Sequence, residues 1–352
     1  MTDLDDPASL GAADPGGMLE VVVALPSHCR GGWERGRGTS DLPSGDGVSS
    51  VAFCGMGGSA VAGDVLRALY ADRLGLPVIV VRSPELPEFC GPHTLVLVSS
   101  YSGDTTETLA CFEEAVARGC RVIAVTSGGE LGRLAAERDI ARVQIPGSFM
   151  PRAALGYLAF GALGALETIG MIPPLGDDLD EAIGAMEALL EEAGPDEPVA
   201  SNPAKSLALR IGERVPVIWG AEGIAAVAAA RWKTQCNENA KVPAFAAALP
   251  ELDHNEVVGW SQGRGEGFFL VALRHGGEHP DVAARFPLSM DIARSAGVET
   301  AEVWGSGRSA VSRLLTLVLH GDLVSTYLGI ARGVDPTPIE AIVRLKEELS
   351  QT

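Results

Sequence analysis

"TLVLVSSYSGDTTET", residues 94–108, runs from an apolar β-branched stretch into a turn dense in hydroxyls and on into a helix start. The first six residues, "TLVLVS", carry no polar face, as befits a strand covered on both sides of a parallel sheet. Beyond them Ser99, Ser100, Ser102, Thr105, Thr106 and Thr108 surround one glycine, Gly103, and no lysine lies in the stretch. Asp104 or Thr105 suits the N-cap and Glu107 the first turn. A cap uses one or two such oxygens. Six at a helix start point to a small anion held by neutral donors and backbone N–H groups.

Outward from this stretch the same pattern repeats. "SSVAFC" (49–54), "PVIVV" (77–81), "RVIAVT" (121–126) and "ARVQI" (141–145) are further apolar runs, separated by amphipathic segments at 58–72, 105–118 and 129–138. Strands alternating with helices predict a doubly wound α/β domain whose ligand sits at the carboxyl ends of its strands. A second alternation follows: "VPVIWG" (215–220), a helix over 222–236, a strand near 244–248, "GFFLVALR" (267–274), "ETAEVW" (299–304), and closing helices at 308–332 and 338–350. The expectation is an α/β fold of two doubly wound, parallel-sheet, flavodoxin-like domains in tandem. Residues 1–17 are expected to be disordered, 18–160 to form the first domain, 161–200 a helical bridge and linker, and 201–352 the second domain with its C-terminal helices. Within the first of these, 18–30 reads as a short apolar helix and the glycine-rich "GGWERGRGTSDLPSGDGV" (31–48) as a linker.

Composition narrows the function. The chain has 352 residues, 46% of them hydrophobic, and a net charge of −19, which argues against nucleic acid or an anionic membrane as partner. "AALGYLAFGALGALETIG" (153–170) is the stretch closest to a membrane span, but its Ala and Gly content and its Glu167 read as a tightly packed buried helix. Six cysteines without a Cys-x-x-Cys pair read as buried thiols of a reducing compartment, and with no export signal apparent the expected location is cytoplasmic. His28, His93, His275, His279 and His320 show no metal-ligand spacing, so no metal is expected.

A second ligand-facing turn, "CGMGGSAVAGD" (54–64), follows the first strand. Gly55 and Gly57 permit a tight turn, while Gly58 and Ser59 present backbone N–H groups where the helix dipole is positive. Gly55-x-Gly57-x-x-Ala60 also fits a dinucleotide fingerprint, with Arg82 placed to take a 2′-phosphate, so an NADP-dependent oxidoreductase stays open as an alternative. That alternative leaves the hydroxyl turn unexplained. No Gly-Lys-Ser/Thr occurs after these turns, hence no Walker-type triphosphate loop.

Together "GMGGSAVAGD" and "SSYSGDTTET" resemble the phosphosugar-binding sugar isomerase (SIS) domain. "RWKTQCNENAKVPAF" (231–245), "LPELDHNEVVGW" (249–260) and "DPTPIEAIVRLKEEL" (335–349) extend the likeness to the bifunctional phosphoglucose/phosphomannose isomerase family, from about residue 18 to the end. The resemblance implies two tandem SIS domains, a homodimer, no cofactor and no metal, with a sugar 6-phosphate as substrate. It assigns phosphate binding to Gly57, Ser59, Ser100, Ser102 and Thr105, beside the Gly58 already read from the turn.

The implied chemistry is aldose–ketose isomerisation of glucose 6-phosphate or mannose 6-phosphate with fructose 6-phosphate through an enediol(ate). It needs ring opening and a base that moves a proton between C2 and C1. The base falls on Glu238 of "NENAK", where partial burial suits the role. Ring opening falls on His254 of "DHNE", which the family takes from the partner subunit. Lys346 matches a family lysine that assists at the sugar ring, and Arg152 an arginine suited to a developing enediolate charge. Cys236 and Asp253 depart from otherwise matching motifs and leave substrate preference open. A non-catalytic phosphosugar sensor on the same fold is the other alternative; it would need the serine turns but not Glu238, His254 and Lys346.

Overall fold

The computed structural model describes residues 2–349 apart from 71 and 148. The chain divides into two compact units, one of residues 24–185 with 307–312, the other of residues 1–23, 186–306 and 313–352. In chain order the elements begin with α1 (Pro7–Ala13), α2 (Met18–Val23), α3 (Leu25–Arg37), β1 (Ser50–Cys54), α4 (Gly57–Tyr70), β2 (Val78–Val81) and β3 (Thr94–Ser100). Next come α5 (Thr106–Ala117), β4 (Arg121–Thr126), α6 (Gly129–Glu137), β5 (Arg142–Gln144), α7 (Leu155–Thr168) and α8 (Gly176–Ala193). The rest are α9 (Pro203–Ile211), β6 (Val215–Ala221), α10 (Ile224–Asn239), β7 (Phe245–Leu249), α11 (Glu256–Gly259), β8 (Phe268–His275), α12 (Pro280–Ala283), α13 (Arg285–Ser295), β9 (Glu299–Gly305), α14 (Ala310–Ala331) and α15 (Glu340–Leu349).

Every strand pair in both sheets is parallel. The first sheet has the order β2-β1-β3-β4-β5 and the second β7-β6-β8-β9, so both use the same doubly wound path. Every residue of β1 and β3 is buried, which explains their apolar run without alternation. One face of the first sheet buries Ala52, Cys54, Val96, Val98 and Ala124 beneath Cys111, Phe112 and Leu131. The reversal of strand order falls between β1 and β3, the two strands that carry the glycine and hydroxyl turns.

The structure departs from the sequence expectation in three places. Residues 2–17, expected to be disordered with residue 1, carry helices: the Asp6 carboxylate accepts the N–H groups of Ala8 and Ser9 to start α1, and Asp14 accepts those of Met18 and Leu19 at the start of α2. This segment belongs to the same compact unit as residues 186–306, and the other unit starts near 24 rather than 18. Residues 31–37 are not linker but the second half of α3, and residues 161–168 complete α7 in the first-sheet unit instead of bridging.

The glycines that looked like linker residues are packing residues. On α3 and α7 they let two backbones meet: a Cβ on Gly36 would lie 2.1 Å from the Gly161 carbonyl oxygen, and one on Gly164 would lie 2.4 Å from that of Trp33. Glu167, the one acid of the apolar stretch, accepts from Trp33 Nε1 at 2.5 Å.

Among the described residues one helix, α14, is long and apolar enough to cross a membrane, and its apolar window is entirely buried within the protein. It is a core helix. Its Asp322 takes a bidentate pair from Arg231 of α10 at 3.0 and 2.7 Å, and Trp232 Nε1 donates to the Leu317 carbonyl at 2.8 Å. His320 of α14 is buried against Trp232, ring centroids 5.9 Å apart, and its Nε2 has no hydrogen-bond partner among the described residues. Burial pushes its pKa down to about 4.

This packing can be tested through stability. Gly36→Ala should lower it by about 3 kcal/mol, since backbone cannot yield to the new methyl. Gly184→Ala, at an exposed position of α8 with nothing within 4 Å, should raise it by about 0.5–1 kcal/mol. Shifts of the urea midpoint decide, and equal shifts of one sign would contradict the packing account. His320 offers a test by pH. Its folded form stays neutral down to about pH 4, whereas the unfolded chain takes a proton near pH 6.5. The stability tied to the neutral ring is complete above pH 6.5 and is lost as pH falls toward 4, at up to about 1.4 kcal/mol per unit. His320→Phe should therefore show a shallower decline between about pH 7 and 4.5 than the parent; parallel declines would refute the assignment.

Candidate active site

The glycine and hydroxyl turns meet at the carboxyl ends of β1 and β3. Close approach is built in: a Cβ on Gly55 would lie 3.0 Å from the Ser99 carbonyl oxygen. The Tyr101 N–H donates to Ser59 Oγ at 3.3 Å, joining the first turn of α4 to the hydroxyl turn. Within the latter, Ser100 Oγ and Thr105 Oγ1 are 3.0 Å apart, the Gly103 N–H reaches Ser100 Oγ at 3.1 Å, and the Asp104 N–H reaches Ser102 Oγ at 3.2 Å. Gly57, Gly58, Ser59, Ser100, Ser102 and Thr105 thus lie on two joined turns at the N-termini of α4 and α5, where backbone N–H groups and the helix dipoles favour an anion. The backbone of Arg152 packs against the first of these turns. The residue is buried on the 3₁₀ turn Pro151–Ala154, and a Cβ on Gly58 would lie 3.0 Å from the Pro151 oxygen and 3.3 Å from the Arg152 Cα.

Sequence reasoning missed a third turn, the one after β4, which braces the hydroxyl turn from behind. The Leu131 N–H donates to the Gly103 carbonyl and the Glu130 N–H to Asp104 Oδ1, each at 2.9 Å, while Ser127 Oγ donates to the Tyr101 carbonyl at 2.6 Å. Gly103, with φ at 80°, is pressed so tightly that a Cβ would lie 1.9 Å from the Gly128 oxygen. The signal was present in "TSGGE", a Gly-Gly pair directly after a strand. Tyr101, one position inside the hydroxyl turn, is buried, and its hydroxyl accepts the Phe149 N–H at 2.7 Å; burial raises its pKa. Arg82, the residue on which a dinucleotide reading leaned, pairs with Asp64 of α4.

The remaining predicted residues lie in the other unit. Glu238 is half-buried in the last turn of α10 and lines a cavity of about 450 Å³ with Asn237, Lys241, Val334, Pro338 and Ile339. Lys346 stands on α15, whose first residues, Glu340–Ile342, close the same cavity. His254 is elsewhere: it ends the 3₁₀ turn Glu251–His254 after β7 and is exposed. Asp253 beside it is anchored by Ser289 Oγ at 2.6 Å and Arg285 at 3.1 Å, so this departure from the motif has a structural role. Cys236, the other departure, is fully buried, and burial pushes its thiol up to about 12. Because α10 runs antiparallel to β7, Glu238 lies at the amino end of that strand and His254 at its carboxyl end. Five residues of strand, roughly 13 Å, lie between those two ends. One chain therefore groups Glu238 with the start of α15 but not with His254.

Comparison with known proteins places the chain among relatives. Residues 200–349 match the bacterial phospho-glucose isomerase C-terminal SIS domain. A bifunctional phosphoglucose/phosphomannose isomerase of Caldicellulosiruptor bescii is 35% identical over 336 residues, 95% of this chain and 99% of that protein. One of Aquifex aeolicus is 36% identical over 303 residues, 86% of this chain and 90% of its own. A crystal structure of a glucose-6-phosphate isomerase like protein from Thermus thermophilus shares the fold, with a TM-score of 0.61 at 22% identity over 96% of this chain and 99% of that one. An α/β chain with two parallel sheets and these relatives along nearly its whole length belongs to the bifunctional phosphoglucose/phosphomannose isomerase family, a family of sugar-phosphate isomerases.

Proposed function

We propose that the protein interconverts glucose 6-phosphate and mannose 6-phosphate with fructose 6-phosphate, without a metal, by proton transfer through an enediol(ate). The observation that carries this reading is the cradle: Ser59, Ser100, Ser102, Thr105 and the backbone of Gly57 and Gly58 gathered at two helix N-termini. Such a site suits a phosphate monoester, since it supplies donors without fixing a counter-charge. Arg152, buried beside it, is the cation for the negative charge that develops on the enediolate oxygen.

Glu238 acts as the base that takes the C2 proton and returns it at C1, or the reverse; its half-buried place on a cavity wall suits a group that must meet carbon acids. Lys346 assists at the ring oxygen. His254 opens the ring, and because it lies at the far end of β7 from Glu238, the working site takes the partner's His254 in a homodimer. Six free cysteines accord with a cytoplasmic setting.

Turnover of fructose 6-phosphate to both aldoses by pure protein in EDTA is the direct test, and its absence would refute the proposal. Glu238→Gln should cut kcat by about a thousandfold or more with sugar-phosphate binding retained; near-normal turnover would remove Glu238 as base. Ser102→Ala, an exposed position, should keep the parental melting temperature and raise KM about tenfold with little change in kcat. An unchanged KM would mean the phosphate sits elsewhere.

A further inference from the structure

We propose that Lys241 is a positioning residue: it ties the end of α10 that carries Glu238 to the segment that leads into α15, and so sets the wall of the cavity beside Glu238. The backbone is the first observation. Lys241 has φ at 55°, a left-handed conformation that glycine adopts freely and a long side chain does not. It closes α10 as a C-cap glycine would: the N–H groups of Ala240 and Val242 both reach the Cys236 carbonyl, at 3.2 and 3.3 Å.

The side chain is the second observation, and it does what glycine could not. Lys241 Nζ donates to the carbonyl of Glu238 at 2.5 Å and to the carbonyl of Pro336 at 2.9 Å. One ammonium thus bridges the residue holding the candidate base and the loop between α14 and α15. Asn237 secures the same turn from the other side, its Nδ2 donating to the Val242 carbonyl at 2.8 Å. The third observation is the cavity, whose lining combines Glu238 and Lys241 with Val334, Asp335, Pro338 and Ile339, the two stretches that the ammonium joins. Strain kept beside a cavity, where glycine would relieve it, marks a residue retained for what its side chain holds.

The inference rests on Glu238 as the base, and three variants separate the two claims. Lys241→Met keeps the strain and loses the donors; Lys241→Gly relaxes the turn and loses the donors; Lys241→Arg keeps a cation that can span both carbonyls. The Met and Gly variants should be cleaved by a dilute protease within residues 333–345 about tenfold faster than the parent, and their kcat should fall about tenfold with KM within about twofold. The Gly variant should do so without a lower melting temperature, and the Arg variant should recover most of both protection and kcat. Parental protection in the Met and Gly variants would overturn the proposal, as would a loss of kcat with no change in cleavage. If Glu238→Gln remains active, the base assignment fails by itself, and the cleavage rates still decide whether Lys241 is the tie.

Discussion

The reversal of strand order between β1 and β3 is the constraint on which the candidate site depends. At that point successive helices leave for opposite faces of the sheet and open a crevice at the carboxyl ends of the two strands. Whatever lies on the two turns is brought together by the backbone, before any side chain is chosen. Here the turns approach so closely that a side chain on Gly55 would crowd the Ser99 carbonyl, and the Tyr101 N–H is satisfied by Ser59. The hydroxyls then bond one another and the turn's own N–H groups, which holds the turn in shape. A chain with a net charge of −19 repels anions at a distance. Helix N-termini and short-range donors act within a few ångströms, where the local dipoles dominate over a field that salt screens at longer range.

The second sheet repeats the path but not the chemistry. Its corresponding turn after β6 carries Glu222 beside a single glycine, Gly223, and no serine, and that acid opposes a phosphate. What this unit offers instead is a set of acid–base groups: Glu238 at a helix end, Lys346 on α15, and His254 on the turn after β7. The same wiring, used twice, thus carries different side chains on its turns in the two units.

Much of this was legible because strands buried on both faces leave no ambiguity of period: the boundaries predicted for β1, β3, β4, β6 and β8 fall within two residues of those observed. The hydroxyl-rich stretch was legible as a strand-to-helix junction, although of its six hydroxyl residues Ser99 and Ser100 end β3 and Thr106 and Thr108 fall in α5, which leaves Ser102 and Thr105 in the turn itself. Glycine was where the reading failed. In "GGWERGRG" it signals either flexibility or a backbone pressed against another, and sequence cannot separate the two; α7, far along the chain, settles it at Gly36 and Gly164. The N-terminal caps at Asp6 and Asp14 were visible as residue types but not as caps, because α1 and α2 are short and gain their stability from burial of Leu10, Met18 and Leu19 in the fold. Lys241 was hidden for a different reason: a lysine in "NENAK" gives no sign that its backbone is left-handed or that its ammonium reaches residue 336.

The claim that a protein base carries the proton between adjacent carbons can be put to one direct measurement. Fructose 6-phosphate incubated with the protein in D₂O, followed by proton NMR, should give glucose 6-phosphate and mannose 6-phosphate with deuterium at C2, because a proton held on a carboxylate exchanges with solvent before it is returned. Aldose products that keep protium at C2 throughout would contradict the account, which has the proton exchange while it is held on the base.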